Sequence, residues 1–314
     1  MGTMVEVTME GEREESARIC QRLFQRLEKI EARFSLYNPG SEITAVNSKA
    51  GREGVRVSDE FFNLLEKSLV WSELSSGAFD ISVAPLVKLW GFKEHKPAVP
   101  KEEEIKKTRE NCGYTYIRLS PENQEVTFLK PGLEIDMGGV AKGYIVGEGI
   151  RFLRKEGVKA ALINAGGDLY GLGSPRGQEG WSVGIQHPRK KGKVFTRLII
   201  ADKAVATSGD YENFFLYEGK YLSHIIDLRT GRPSLSGVIS ATVISADSAE
   251  ADALATALLV MGKDKGLDLI NHLSGVEAIV ISLENGKLQA ATSSGLEGKI
   301  KFKLYSIPQE LFFY

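Results

Sequence analysis

The chain has 314 residues, of which 42% are hydrophobic and 26% charged, the balance of a soluble globular protein. Its 40 basic residues nearly offset its 41 acidic residues, and the formal net charge of −1 argues against a nucleic-acid-binding protein. The two cysteines, Cys20 and Cys112, are too few for a disulfide framework or a thiolate metal cluster, and no apolar run reaches the roughly 18–20 residues of a membrane helix.

Hydrophobic periodicity predicts the elements of the first half of the chain. Alternation over residues 5–9 predicts a strand, and Ser58 is a candidate N-cap for a helix. A charged helix is predicted over 102–111. The predicted helix at 14–34 carries one apolar stripe, formed by Cys20, Leu23, Leu27, Ile30 and Phe34. Three further strands are predicted at 116–119, 126–128 and 133–135.

The second half of the chain is predicted to be richer in strands. A helix that begins near Gly139 leads to a strand at 160–163, and two helices are predicted at 248–261 and 264–272. Clustered strands interrupted by helices predict an α+β fold, and no linker divides the chain, so residues 1–314 are predicted to form a single domain. The remaining predicted strands are 181–186, 194–200, 221–226, 238–245, 278–282, 288–291 and 300–304.

Common catalytic motifs are absent from the sequence. It has no P-loop, no H-E-x-x-H zinc helix and no G-x-S-x-G nucleophile elbow. Gly171-Leu172-Gly173 is not extended into a dinucleotide-binding fingerprint. The four histidines include no pair at ligand spacing on one helix, which argues against a zinc site.

A carboxylate and a hydroxyl stand one helical turn apart in the predicted helix 248–261. Asp252 and Thr256 are at i and i+4 and therefore project from the same face. Their neighbours are small or apolar, as in a buried helix, and a buried carboxylate requires a partner. Both side chains offer hard oxygen ligands suited to Mg²⁺, although two polar residues on a solvent-facing helix give the same pattern.

Two glycines join a predicted strand to a predicted helix at 136–144. Asp136 ends the strand, and Lys142 lies in the first turn of the helix. Backbone N–H groups at a helix N-terminus, together with a lysine, favour an anion such as a pyrophosphate. The glycine carbonyls also suit a hard cation, and the alternative is an ordinary strand-to-helix turn.

Three other segments carry candidate functional residues. The loops at 164–168 and 207–211 contain glycines, and each suits either a phosphate-bearing ligand against the main chain or a tight hairpin. His224 and Ile226 share one face of a predicted strand, where the histidine is either a structural residue or a catalyst.

In this order, the segments resemble the ApbE-type FAD:protein FMN transferase family, formerly linked to thiamine biosynthesis. The resemblance extends over almost the whole chain, and the ordered set of motifs is specific. The matching segments are residues 1–3, 34–37, 41–43, 77–81, 85–87, 89–92, 136–144, 164–168, 208–211, 224–231 and 251–256.

The resemblance implies two intertwined subdomains similar to the tunnelling fold, with antiparallel sheets and flanking helices. It implies Mg²⁺-dependent transfer of the FMN half of FAD to a threonine hydroxyl of a target flavoprotein, with release of AMP. By the same resemblance, the backbone of Gly139 with Asp252 and Thr256 holds Mg²⁺, and His224 assists deprotonation of the threonine. The residues implied to line the FAD site are Met1, Tyr37, Ala78, Phe79, Asp80, Asp136, Lys142 and Ile226.

Two other activities fit the same residues, namely a Mg²⁺-dependent FAD pyrophosphatase and a non-catalytic FAD-binding module. Family members are commonly exported and anchored at the inner membrane facing the periplasm, where they act on respiratory flavoproteins. The resemblance implies that location and that class of partner here. The start of this chain shows no signal segment, so a cytoplasmic location stays open.

Overall fold

The computed structural model describes residues 3–93, 96–284 and 286–302. Its helices are α1 (Arg13–Phe34), α2 (Glu42–Ser48), α3 (Asp59–Leu74), α4 (Ala84–Leu89), α5 (Glu102–Arg109), α6 (Ala141–Lys155), α7 (Ser248–Met261) and α8 (Lys263–Asn271). None of these helices is both long enough and apolar enough to cross a membrane.

The strands fall into one large sheet and several two- or three-stranded pieces. They are β1 (Val5–Met9), β2 (Val55–Arg56), β3 (Ile117–Ser120), β4 (Glu125–Phe128), β5 (Ala161–Ala165), β6 (Asp168–Leu172), β7 (Trp181–Gln186), β8 (Val194–Ile200), β9 (Lys203–Gly209), β10 (Phe214–Tyr217), β11 (Lys220–Ser223), β12 (Ile226–Asp227), β13 (Arg232–Pro233), β14 (Val238–Ser245), β15 (Glu277–Glu284) and β16 (Lys287–Thr292). Helices combined with antiparallel sheets confirm the predicted α+β class.

The seven-stranded antiparallel sheet lies between a helical layer and a hairpin. Its strand order is β1-β5-β6-β9-β14-β15-β16. Helix α7 packs on β9 and β14, α6 packs beside α7, and α1 covers α6. The hairpin β7–β8 covers the opposite face, where Trp181 and Ile200 meet Val205 and Ile279 of the sheet. Consecutive residues are buried at 204–206 of β9 and throughout β14. Since neighbouring strand residues point to opposite faces, both faces of these strands are covered.

Helix α7 is buried around almost its whole circumference, as its composition predicts. The Asp247 carboxylate caps its first turn by accepting from the backbone N–H groups of Ala249 and Glu250. Gly262, with a φ of +87°, follows the last helical residue, Met261. Small side chains allow close approach of neighbouring elements. Asp252 is consequently only 3% exposed.

Helices α6 and α7 approach each other closely at Gly143. A Cβ atom at this position would lie 2.1 Å from the Ser248 carbonyl oxygen and 2.8 Å from the Asp252 Cβ. Two hydrogen bonds cross the same contact. The Gly143 N–H donates to Asp252 Oδ2 at 3.0 Å, and Ser248 Oγ donates to the Gly143 carbonyl at 2.6 Å. The contact with α6 therefore fixes the Asp252 carboxylate.

We expect Gly143→Ala to destabilise the protein by about 2–3 kcal/mol, because the added methyl meets helix backbone and forces α6 and α7 apart. Urea unfolding measures the change. Gly147→Ala is the matched control on the same helix, since its methyl meets only the Ser248 hydroxyl, at 2.7 Å. The control is expected to lose much less stability, and equal stability of Gly143→Ala and the wild type would contradict the close contact.

In the described part of the chain one predicted strand is wrong and another is shorter than predicted. Residues 133–135 form no ladder, because the Asn47 side chain bonds both backbone groups of Ile135, at 2.8 Å and 3.0 Å. The strand predicted over 221–226 breaks after Ser223, and Ile226 pairs instead with Pro233.

Two smaller corrections concern α1 and the end of the chain. Ile19 rather than Cys20 completes the buried stripe of α1, and Cys20 is half-buried. Residues 300–302 of the predicted strand 300–304 are not in a strand, and 303–304 lie outside the described residues.

Helix α2 and strand β9 are among the elements that were not predicted. Helix α2 is short, and β9 contains alanine, serine and glycine, which are not typical of strands.

Candidate functional site

A cavity of about 320 Å³ lies between the start of α6, the middle of α7 and the ends of β9 and β11. A neighbouring cavity of about 660 Å³ shares part of its lining, so the two form one cleft. The shared residues are Val87, Asp136, Gly138, Lys142 and His224.

The cleft brings together the site residues named by the sequence. The first cavity is lined by Ala78, Phe79, Asp80, Asp136, Gly139, Lys142, His224, Ile226, Asp252 and Thr256. Tyr37 is 82% exposed and lines the second cavity. Met1 lies outside the described residues.

Lys142 lies between two carboxylates at the wall of the cavity. Its Nζ contacts Asp168 Oδ2 and lies 3.8 Å from Asp252 Oδ1. Burial lowers the pKa of Lys142, but the charges of Asp252 and Asp168 outweigh burial and raise the pKa above its ordinary value. Burial and the charge of Asp252 raise the pKa of Asp168, and contact with the ammonium opposes that rise. The cluster therefore holds one ammonium among buried oxygens.

The glycine turn before α6 packs directly against α7. A Cβ atom on Gly139 would lie 3.3 Å from Thr256 Oγ1 and 3.4 Å from the ring of Phe79. Thr256 Oγ1 also hydrogen-bonds with Ser208 Oγ at 3.1 Å. The backbone of the turn and the two hydroxyls therefore stand at one place on the cavity wall, one helical turn from Asp252.

Both carboxylate oxygens of Asp80 accept hydrogen bonds from backbone N–H groups. Its Oδ1 accepts from the Ser82 N–H and its Oδ2 from the Tyr114 N–H, both at 2.8 Å. Burial raises the pKa of Asp80, and these hydrogen bonds oppose the rise. Its main structural effect is to fix the chain at Ala78 and Phe79, which lie in the cavity wall.

Asp136 organises the glycine turn. Its Oδ1 accepts from the Gly138 N–H at 2.8 Å, and its Oδ2 lies 3.2 Å from Lys93 Nζ. Lys93 lines the second cavity and brings a further positive charge to the cleft. Phe79 and Ile226, both nearly fully buried, give the first cavity an apolar part of its wall.

His224 presents one ring nitrogen that can accept a proton. Its Nδ1 lies 3.1 Å from the Asn213 carbonyl oxygen, which also accepts from the His224 backbone N–H at 2.9 Å. Because a carbonyl only accepts, Nδ1 carries the hydrogen in the neutral ring, and Nε2 has a free lone pair. The imidazole is thus oriented as a candidate general base.

The cleft also contains residues that were not among the predicted site residues. Thr207, Ser208 and Glu212 line the first cavity, and Asp168 lies behind Lys142. Thr207 and Ser208 belong to the predicted ligand loop 207–211, and Glu212 follows that loop directly. Asp168 is the last residue of the other predicted ligand loop, 164–168. The hairpin alternative at 164–168 is confirmed, because Gly166 and Gly167 form the turn between β5 and β6. Gly166 also lines the first cavity, and a ligand at this loop stays a prediction.

The predicted Mg²⁺ site differs from a cluster of acidic and histidine ligands. Across the described ranges, no three His, Cys, Asp or Glu side chains are grouped to hold a metal. Asp252, Thr256 and the Gly139 carbonyl would instead supply a carboxylate, a hydroxyl and a backbone oxygen. This oxygen set fits Mg²⁺, which commonly keeps water or phosphate oxygens as its other ligands.

Two relatives and a family model match most of the sequence. The ApbE family model matches residues 1–280. A Klebsiella pneumoniae protein named FAD:protein FMN transferase is 32% identical over 265 residues, which are 84% of this chain and 82% of that protein. An Escherichia coli protein of the same name is 30% identical over 294 residues, covering 90% and 82% of the two chains.

Two solved structures share the fold. The ApbE protein from Thermotoga maritima superposes with a TM-score of 0.84 at 31% identity, covering 94% of this chain and 95% of that one. The flavin transferase ApbE from Vibrio cholerae has a TM-score of 0.85 at 28% identity, with coverages of 95% and 96%. Sequence, fold and the order of the motifs therefore agree, and the chain belongs to the ApbE family.

Proposed function

We propose that the protein transfers the FMN half of FAD to a threonine hydroxyl of an acceptor protein, with Mg²⁺ required and AMP released. The relatives named FAD:protein FMN transferase support FAD as the substrate and a protein as the acceptor. The chemistry of the cleft supports the dependence on a divalent cation and the role of a base.

The observation that carries this proposal is that Asp252, Thr256 and Gly139 meet on the wall of an acidic cavity. The described carboxylates that line it are Asp80, Asp136, Glu212 and Asp252, beside the single lining amine of Lys142. A pyrophosphate is an anion, and so many carboxylates repel it unless a cation binds between them. Asp252, Thr256 and the Gly139 carbonyl would hold a divalent cation here, and the cation would supply the positive charge that offsets the carboxylates.

Two kinds of contribution to the transfer are proposed, namely stabilisation of charge on the pyrophosphate and removal of the threonine proton. When bound, Mg²⁺ would neutralise pyrophosphate oxygens and make the phosphorus more electrophilic. The Lys142 ammonium adds fixed positive charge. His224 Nε2 takes the threonine proton while the threonine oxygen bonds to the FMN-side phosphorus. The bond from that phosphorus to the bridging oxygen breaks, and AMP leaves with the bridging oxygen and its electron pair.

Incubation with FAD, Mg²⁺ and a threonine-bearing acceptor flavoprotein tests the proposal. We expect flavin fluorescence that stays with the acceptor through denaturing electrophoresis, and none when the acceptor threonine is replaced by alanine. AMP should appear in equal amount. No covalent flavin on several authentic acceptors, with folded protein and bound FAD, would contradict a transferase.

The same assay separates the other two activities. Release of FMN and AMP in the absence of any acceptor would identify a pyrophosphatase, in which water replaces the threonine hydroxyl. FAD that stays bound and intact through long exposure to Mg²⁺ and acceptor would identify a binding module.

The transfer should depend on pH through His224. Burial lowers the pKa of His224 below 6.5, and Lys142 acts in the same direction, whereas the Asn213 carbonyl and Asp136 oppose it. Since the neutral ring is the base, kcat/KM is expected to be constant near neutral pH and to fall as the pH drops through this lowered pKa. An acid limb centred above 6.5, or the same limb in the residual activity of His224→Ala, would contradict the assignment.

We also propose that the protein acts outside the cytoplasm, at the inner membrane, on a flavoprotein subunit of a respiratory complex. The proposal rests on the family resemblance. Cell fractionation with an antibody against the native protein tests it, and recovery solely in the cytoplasmic fraction would contradict it.

A further inference from the structure

Asp168 is a buried carboxylate behind the cavity wall. It begins β6 directly after the Gly166–Gly167 turn and is 1% exposed. Its Oδ2 contacts Lys142 Nζ, and the Thr207 backbone hydrogen-bonds to its carboxylate. Its Oδ1 has no hydrogen-bond partner among the described residues. An ionised carboxylate in such surroundings requires a cation, and the Lys142 ammonium is in contact with it.

Lys142 has a second carboxylate within reach. Asp252 Oδ1 lies 3.8 Å from Nζ, whereas Asp168 Oδ2 is in direct contact with it. Asp252 Oδ2 is already engaged by the Gly143 N–H, so Oδ1 is the oxygen left for a cation. A lysine ammonium and a divalent cation would compete for that oxygen, because both are stabilised by the same negative charge.

We propose that Asp168 is a positioning residue that holds the Lys142 ammonium on the β6 side and so keeps Asp252 available to a divalent cation. The inference rests on the proposed function, because it assumes the divalent cation proposed to bind at Asp252. Without Asp168, the Lys142 side chain would move onto Asp252, its nearest remaining carboxylate. The ammonium would then neutralise the oxygen that the cation needs.

Titration of the protein with Mg²⁺ alone in a calorimeter tests the inference. Asp168→Asn keeps the shape of the side chain and removes its charge, and we expect Mg²⁺ to bind at least about tenfold more weakly than to the wild type. Asp202→Asn is the matched control. Asp202 forms an ion pair, at 2.9 Å, with Arg154, which lies in α6 as Lys142 does. Asp202 is not part of the cavity lining, so unchanged Mg²⁺ affinity is expected.

A second substitution distinguishes positioning from a general structural role. In the double variant Asp168→Asn with Lys142→Met, no ammonium remains to occupy Asp252, and Mg²⁺ affinity should return to within a few-fold of the wild type. A carboxylate that merely stabilised the fold would not be rescued by removal of Lys142. If Asp168→Asn alone fails to fold, the double variant still tests the inference, because Mg²⁺ binding at least tenfold weaker than that of the wild type would overturn it.

The outcomes separate this inference from the proposed function. Wild-type affinity in Asp168→Asn, or a double variant that still binds Mg²⁺ at least tenfold more weakly than the wild type, would overturn the positioning role and leave the transferase proposal standing. Absence of Mg²⁺ binding by the wild type would overturn both.

Discussion

Asp252→Ala is expected to abolish Mg²⁺-dependent transfer while the protein stays folded. The substitution removes the sole carboxylate among the three proposed metal ligands. Loss of several kcal/mol of charge stabilisation at the pyrophosphate corresponds to at least about a thousandfold slower reaction. The rate of covalent flavin attachment at saturating FAD measures the loss, and titration with Mg²⁺ shows whether the metal still binds.

The fold of that variant requires its own check, because Asp252 also accepts from the Gly143 N–H. Losing this hydrogen bond in the interior costs about 1–3 kcal/mol, which thermal unfolding detects. Asp252→Asn keeps the shape of the side chain and is expected to fold more stably while remaining as inactive. Exposed Asp202→Ala serves as the control with full activity, and an unchanged rate in both Asp252 variants would remove Asp252 from the metal site.

His224→Ala is expected to lose transfer by about a hundredfold to ten-thousandfold while it still binds FAD. The prediction follows from the Asn213 carbonyl, which fixes the hydrogen on Nδ1 and leaves Nε2 to accept the threonine proton. Single-turnover transfer and FAD binding are measured separately on the same variant. A loss confined to FAD affinity would show that the ring binds substrate and takes no proton.

A second histidine provides the control for that experiment. His272 has a side chain that is 76% exposed at the end of α8, with Nδ1 near the Asp268 carbonyl. His272→Ala removes an imidazole that is not part of the cavity lining, so normal transfer is expected. Equal rates for His224→Ala and His272→Ala would refute the role of His224 as a base.

The sequence predicted well where local pattern and packing agree. The small and apolar composition of α7 predicted its burial, and the i, i+4 spacing predicted that Asp252 and Thr256 share a face. The glycines before α6 indicated backbone available to a ligand, and Gly138 and Gly139 do line the first cavity. In these cases each local preference is satisfied by the tertiary structure.

The sequence predicted poorly where a distant residue decides the outcome. Ile135 fits a strand by composition, but the Asn47 side chain, 88 positions earlier, takes both of its backbone hydrogen bonds. Asp168 stood in a recognised loop, yet its partner Lys142 lies 26 positions away and meets it because β6 runs beside α6. No local periodicity reports such contacts.

A crystal soaked with FAD and Mn²⁺ tests the central claim most directly, because anomalous scattering locates the metal independently of the nucleotide. The account predicts a metal peak bound by the Asp252 carboxylate, the Thr256 hydroxyl and the Gly139 carbonyl, with the FAD pyrophosphate as a further ligand. A metal peak away from α7, or FAD bound with its pyrophosphate outside this cavity, would contradict it.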